Sequence, residues 1–321
     1  MQKLVTVFGG SGFVGRYVVR SLAKDGWRIR VAVRRPHLAG DLRVMGDVGQ
    51  VEIVQANVRN AASVSAALAG ADAVVDLVGV LFSKGPQSFK ALHLDAARTI
   101  AEEAAKAGVK KLVHISAIGA DAKSASAYAR TKAQGEAAVR AAFPKVTIVR
   151  PSIVFGTEDN FFNKFAGMAA MAPALPLIGS GKTLFQPVYV GDVGAAVAAI
   201  LKLAAPAPVY EIGGPSTYSF KALMEIVCKE TMKTPALLPL PWGIASLIGL
   251  MGDIQAAVLP IAPPLTRDQV QMLKSDNVAQ SGAPGLKALG VQPTALEGVL
   301  PTYLWRFRKN GQFAVPLTAD V

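Results

Sequence analysis

Leu4-Val5-Thr6-Val7-Phe8-Gly9-Gly10-Ser11-Gly12-Phe13-Val14-Gly15 stands almost at the start of a chain of 321 residues. The apolar run reads as a buried strand, and it ends in glycines rather than in a polar loop. Glycine takes positive φ in a tight turn, and it has no side chain to hold the backbone away from a phosphate. The next residues form an amphipathic pattern, with Phe13, Val14, Val18, Val19 and Leu22 apolar and Arg16, Arg20 and Lys24 polar. A helix beginning there offers unpaired N–H groups and a partial positive charge. Strand, glycine turn and helix together predict a site for a dinucleotide pyrophosphate. The spacing Gly9, Gly12, Gly15 is GxxGxxG, not the GxGxxG of most dehydrogenases.

The rest of the first half extends this unit. Apolar runs at 3–8, 28–33, 51–55, 73–78, 111–116 and 146–150 alternate with helical patterns near 13–25, 61–69, 89–107 and 126–143. The rhythm predicts a doubly wound parallel sheet of the Rossmann type, with right-handed crossovers and helices on both faces. Beyond Pro151 prolines multiply and helical patterns dominate, with 187–190 and 209–212 reading as strands that return to the sheet. The expected division is a dinucleotide-binding domain over 1–156 and a smaller, mainly helical C-terminal lobe over 157–321, interleaved with the sheet.

Composition narrows the function. Hydrophobic residues make up 51% and charged residues 17%, as in an apolar globular chain. The single cysteine, Cys228, excludes an internal disulfide and a cysteine-based zinc site, and the three histidines form no metal pattern. The net charge is +12, and residues 1–60 hold ten Lys/Arg against four Asp/Glu. Such a balance favours polyanions, anionic lipid or an acidic partner subunit, while no nucleic-acid-binding motif is present. The first strand leaves no room for a signal peptide, and no apolar run is long enough to span a membrane. A cytoplasmic protein, peripheral to the inner membrane, is expected. Residues 235–266 carry one charge, Asp253, and prolines at 239, 241, 260, 263 and 264 cut up the apolar run, which reads either as buried core or as a patch for a partner or membrane surface.

Two further features carry chemistry. Arg34 and Arg35 follow the second strand, where an NAD-preferring site places an acid to bind the adenine ribose. A guanidinium there can clamp a 2′-phosphate with charge-assisted hydrogen bonds, which favours NADPH over NAD. Tyr128 and Lys132 stand four apart on one helix face, twelve residues beyond Ser116 at the end of a strand. An ammonium beside a phenol lowers its pKa and lets it exchange a proton with an alcohol or carbonyl.

The glycine motif, the arginine pair and YxxxK resemble the extended or atypical short-chain dehydrogenase/reductases. His114-Ile115-Ser116-Ala117, Tyr128 to Glu136, Ile148-Val149-Arg150-Pro151, Phe155 to Phe161 and Gln186 to Val193 resemble one branch, the dinucleotide-binding accessory subunits of respiratory complex I and their bacterial relatives. The resemblance implies a tightly bound NADPH whose role is structural or regulatory, complex I subunits as partners, and a position near the membrane and the quinone. It also implies a cofactor shell of Gly9, Ser11, Gly12, Phe13, Val14, Gly15, Arg34, Arg35, Asn57, Val58, Val78, Gly79, Ser116, Tyr128, Lys132 and Pro151. Lys132 would hold the nicotinamide ribose, with Tyr128 near the nicotinamide.

Two departures bear on catalysis. Active members place a second hydroxyl after the strand, whereas here Ser116 is followed by Ala117, Ile118 and Gly119. Either Ser116 reaches the site, or a transition-state hydrogen bond is missing. Asn57 stands where an Asp often contacts adenine, and an amide still accepts and donates. The alternative function is an NADP-dependent reductase or epimerase, linked to ubiquinone metabolism, using Tyr128 and Lys132 with Ser116. His114 is expected to be a packed core residue. Tyr303 to Lys309 reads either as a docking helix or as an interfacial anchor.

Overall fold

The computed structural model describes residues 2–258 and 263–314. Of the segments discussed above, 259–262 and 315–321 lie outside the described residues. Strand β1 (Leu4–Phe8) is buried throughout, and helix α1 (Phe13–Lys24) turns Gly15, Val18, Val19, Leu22 and Ala23 inward. Full burial of each large aliphatic stabilises the fold by roughly 1.5–3 kcal/mol. There follow β2 (Arg28–Val33), β3 (Val51–Gln55), α2 (Ala61–Leu68), β4 (Ala73–Asp76), α3 (Ala96–Lys106), β5 (Lys111–Ile115), α4 (Ala127–Ala142) and β6 (Thr147–Pro151). The helix expected from 89 begins as a wider π-helical turn, Lys90–Asp95, and becomes α-helical only at Ala96. There α4 comes so close that a Cβ on Gly135 would lie 2.0 Å from the His93 carbonyl oxygen.

The second half contains β7 (Val154–Phe155), α5 (Phe162–Met171), β8 (Ala174–Ile178), β9 (Leu184–Phe185), β10 (Val188–Tyr189), α6 (Val190–Lys202), β11 (Val209–Ile212), β12 (Tyr218–Ser219), α7 (Phe220–Thr231), β13 (Ala236–Leu240), α8 (Trp242–Val258) and α9 (Arg267–Met272), and then short helical turns. The main sheet has seven strands in the order β11-β6-β5-β4-β1-β2-β3, with every pairing parallel. The order reverses between β1 and β4, and the crevice at that switch point is where such sheets bind ligands.

Residues 209–212 join the sheet as expected from sequence, but 187–190 do not. The place beside β6 is already filled, since Ile212 pairs with Pro151. Val188–Tyr189 instead pairs with Val154–Phe155, where the chain continues past β6, in a separate two-stranded ladder.

Two core clusters cover the two faces of the sheet, and a third, built on Phe155, Phe162, Phe185, Phe220 and Leu223, fills the C-terminal lobe. Tyr303 and Leu304 belong to that third cluster. The Tyr303 hydroxyl donates to Asp159 at 2.6 Å, and Arg308 donates to the Glu230 carbonyl at 2.7 Å. The 303–309 segment therefore docks on its own lobe. Among the described residues no helix is long and apolar enough to cross a membrane.

Candidate functional site

A positive φ at Gly9 and close backbone contacts at Gly15 fix the glycine loop. Gly9 has φ +80°, and its carbonyl accepts from the Gly12 N–H at 3.0 Å. Gly12 caps α1 without a side-chain hydrogen bond, and the first turn has no acidic residue. A Cβ on Gly15 would lie 2.3 Å from the Gly9 oxygen and 2.6 Å from the Gly10 Cα, so α1 lies directly against the turn. The N-terminal N–H groups of α1 are thus left without an internal anion, in a cradle that a side chain would fill. These residues fit a dinucleotide pyrophosphate.

The other sequence-predicted residues stand along the same carboxyl edge of the sheet. Arg34 and Arg35 are exposed just past β2, and Asn57 is exposed past β3, its Oδ1 accepting from the Arg59 N–H at 3.2 Å. Val58 is buried in the core beneath it. Val78 and Gly79 follow β4, Ser116 follows β5, and Pro151 ends β6. Ser11 and Val14 are half-buried in the loop and the first turn. Phe13 lies against Gly156, where a Cβ would be 3.3 Å from its ring.

Tyr128 and Lys132 lie on the inward face of α4. The Lys132 ammonium is buried and donates to the Ile115 carbonyl at 3.0 Å. A Cβ on Gly79 would sit 3.4 Å from its Nζ, in ordinary contact, so the backbone after β4 passes close to the ammonium. Burial pushes the Lys132 pKa down to about 8, against the pull of Asp76 and Glu136. Tyr128 moves the other way: burial, with the Asp268 carboxylate adding to it, pushes its phenol up to about 12.

Around this pair the fold assembles groups that the sequence did not announce. His93 and Phe89 stack with ring centroids 5.3 Å apart, and both meet the Tyr128 ring edge-on, at 5.1 and 5.8 Å. His93 is buried, and its pKa is driven down to about 3 by desolvation and by Lys132. A neutral ring with its proton on Nδ1 donates to Thr131 Oγ1 and accepts from the Val80 N–H at Nε2, both at 3.1 Å. Asp268 reaches across from α9. It accepts from Ser126 Oγ at 2.9 Å, the Ala127 N–H at 2.5 Å and the Tyr128 N–H at 3.2 Å, and so caps α4 from outside the Rossmann domain.

Beneath Lys132, His114 Nδ1 lies 2.9 Å from Asp76 Oδ2, and both side chains are buried. His114 is a core residue, as expected, but a hydrogen-bonded one. Its Nε2 and the Ser116 hydroxyl are buried without a hydrogen-bond partner among the described residues, the hydroxyl lying near Glu136 without the geometry of a bond. Arg150 holds Glu136 through paired bonds of 2.8 and 2.7 Å and reaches Glu211 at 3.2 Å, joining α4, β6 and β11. Next to Phe89 a cavity of about 220 Å³ opens, lined also by Phe82, Ser83, Asp253, Ala256, Thr266 and Asp268.

Glycine cradle, switch-point crevice and Tyr–Lys helix define a nicotinamide-dinucleotide-binding protein of the short-chain dehydrogenase/reductase type. A family model described as NAD(P)H-binding matches residues 9–164. The chain belongs to the family of NADH dehydrogenase (ubiquinone) 1 alpha subcomplex subunit 9: it is 35% identical over 320 residues to the mitochondrial protein of that name from Arabidopsis thaliana, covering 96% of this chain and 79% of the relative. A ceramide reductase from Caulobacter vibrioides is 33% identical over 199 residues, 62% of this chain and 61% of the relative. The fold also matches the Escherichia coli NADPH-dependent quinone oxidoreductase complexed with NADPH, with a TM-score of 0.71 and 21% identity over 94% of this chain and 98% of that one.

Proposed function

We propose that this chain is an accessory subunit of a complex I type NADH:ubiquinone oxidoreductase, in which a bound NADPH is chiefly structural. A ligand held only by the native state stabilises it by mass action, and that suffices for an architectural cofactor. Gly9, Gly12 and Gly15 hold the pyrophosphate, Arg34 and Arg35 the 2′-phosphate, and Lys132 the nicotinamide ribose. Residues 1–156 form the nucleotide domain and 157–321 the lobe that meets partners. Those partners are other complex I subunits, at a peripheral position against the membrane surface and near the quinone.

One observation carries the structural over the catalytic reading. Tyr128 is wedged against Phe89 and His93, and its phenol is held at about 12 by burial and Asp268. Proton transfer is most effective when the donor's pKa lies near the working pH. The test is co-migration with respiratory subunits in native gels of solubilised membranes. A protein that never co-migrates with them refutes the proposal.

A reductase remains the second reading, supported by the Tyr128 and Lys132 pair and by the cavity beside Phe89. Bound in that crevice, a reduced nicotinamide supplies a hydride. Tyr128 would give the proton to the new alkoxide, and Lys132, donating to Ile115, would hold the ribose. This reading requires that Tyr128→Phe abolish NADPH oxidation by a carbonyl or quinone substrate while leaving nucleotide content unchanged. Equal turnover by wild type and variant refutes it.

A further inference from the structure

Helix α8 is built inside out. Its buried stripe consists of the small residues Ala245, Gly249, Gly252 and Ala256. Packing there is too tight for anything larger: a Cβ on Gly249 would lie 2.7 Å from the Arg267 nitrogen, and one on Gly252 would lie 1.8 Å from the Leu265 oxygen. The opposite face carries Ile244, Leu247, Ile248, Met251, Ile254 and Val258, all exposed, with Leu247 at 61%, Met251 at 62% and Val258 at 75%. These positions recur at three- and four-residue spacing and form one continuous aliphatic strip. The helix's one charge, Asp253, lines the cavity beside Phe89 and Asp268. A contiguous apolar surface of this kind on a folded chain marks a binding face.

The charges at its border choose the occupant. Lys274 lies 5.8 Å over the Trp242 ring at the head of the helix. That indole packs on Gly179, in the turn that ends at Lys182. Arg267 flanks the middle of the helix at Gly249. Lys182, Arg267 and Lys274 are all exposed, and none has an ion-pair partner among the described residues. Of the neighbouring carboxylates, Asp268 is turned onto the start of α4, and Asp276, itself exposed, accepts from the Leu184 N–H at 2.8 Å, so three cations face one surface carboxylate along this border. An aliphatic face rimmed by cations without ion-pair partners among the described residues, with an indole at its edge, matches the chemistry of an anionic bilayer surface.

We propose that α8 lies in the plane of an anionic lipid surface, its aliphatic strip among the acyl chains and Lys182, Arg267 and Lys274 at the headgroups. This deepens the peripheral placement proposed above and rests on that reading only for its setting, because the binding belongs to the isolated chain. The test is sedimentation of the purified full chain with phosphatidylcholine vesicles made with and without phosphatidylglycerol. Expected are binding to the anionic vesicles, weakening with added salt, and a loss of at least tenfold in Leu247→Glu/Met251→Glu. Lys182→Glu/Lys274→Glu should lose the preference for phosphatidylglycerol. Both variants alter exposed residues and should keep the wild-type circular dichroism and nucleotide content. No binding by the wild type, or equal binding by wild type and Leu247→Glu/Met251→Glu, overturns the proposal. So does a wild-type dimer that this variant dissociates, since the strip would then be an interface between copies. A chain that co-migrates with respiratory subunits yet ignores vesicles refutes this inference alone.

Discussion

Gly15→Ala tests the cradle directly. The added Cβ would sit 2.3 Å from the Gly9 oxygen and 2.7 Å from the Gly10 carbonyl carbon, both backbone atoms. Carbon and oxygen normally approach to about 3.3 Å, so α1 must retreat from the turn by about 1 Å. Overpacking of this kind costs about 1–3 kcal/mol, and rigid neighbours place it at the upper end. At about 2 °C per kcal/mol for a chain this long, Tm falls by about 6 °C. The same retreat withdraws the α1 N–H groups from the phosphates. A cofactor present at a hundred times its Kd contributes about 2.7 kcal/mol, so losing it removes about 5 °C more. Gly26→Ala is the control: Gly26 has φ +76°, but its Cβ would meet nothing within 4 Å. It should lose about 1–2 kcal/mol to backbone strain alone and keep its nucleotide. The assay is thermal unfolding by circular dichroism, with absorbance and chromatography of nucleotide released from the same samples. If Gly15→Ala retains full nucleotide and melts no lower than Gly26→Ala, the cradle is wrongly assigned.

Arg34→Ala or Arg35→Ala should weaken NADPH binding by roughly 10- to 100-fold, the worth of one charge-assisted hydrogen bond, and leave NADH binding unchanged in titration calorimetry. Arg150→Met strands Glu136 and Glu211 in the interior and should cost about 3–5 kcal/mol in urea unfolding, part of it restored by also replacing Glu136 with Gln and more by replacing Glu211 with Gln as well. His93 contributes a pH dependence whose sign is set by its lowered pKa. Between the ordinary 6.5 and about 3 the unfolded chain binds a proton that the folded chain does not. Stability is therefore full above 6.5 and falls as the pH drops, by at most about 1.4 kcal/mol per pH unit. His93→Gln should flatten that slope in unfolding curves between about pH 6.5 and 5, where few carboxylates titrate.

The parts of the site that read from sequence are those made by neighbours along the chain. The glycine turn, the strand before it and the Tyr128–Lys132 face each follow from a local pattern, and the sheet edge then brings them together. What the sequence withholds is contact across long separations. Asp268 caps a helix 140 residues earlier. Asp76 and His114 meet only because β4 and β5 are adjacent, where register pairs them. His93 reaches Tyr128 because Gly135 lets α4 approach, a glycine that sequence inspection passes over. Residues 188–189 are extended as expected, but their partner depends on which strand occupies the edge of β6, and β11 does. In α8, hydropathy marks an apolar helix and does not say which side is buried. The small residues decide that, through the backbone atoms they meet.

The most direct measurement identifies the nucleotide that the purified protein carries and asks whether it exchanges. The chain is incubated with isotopically labelled NADPH, passed over a desalting column and denatured, and the released nucleotide is weighed by mass spectrometry. A structural cofactor predicts stoichiometric, unlabelled NADPH. Protein that emerges empty, carries NAD, or has exchanged fully with the label contradicts it.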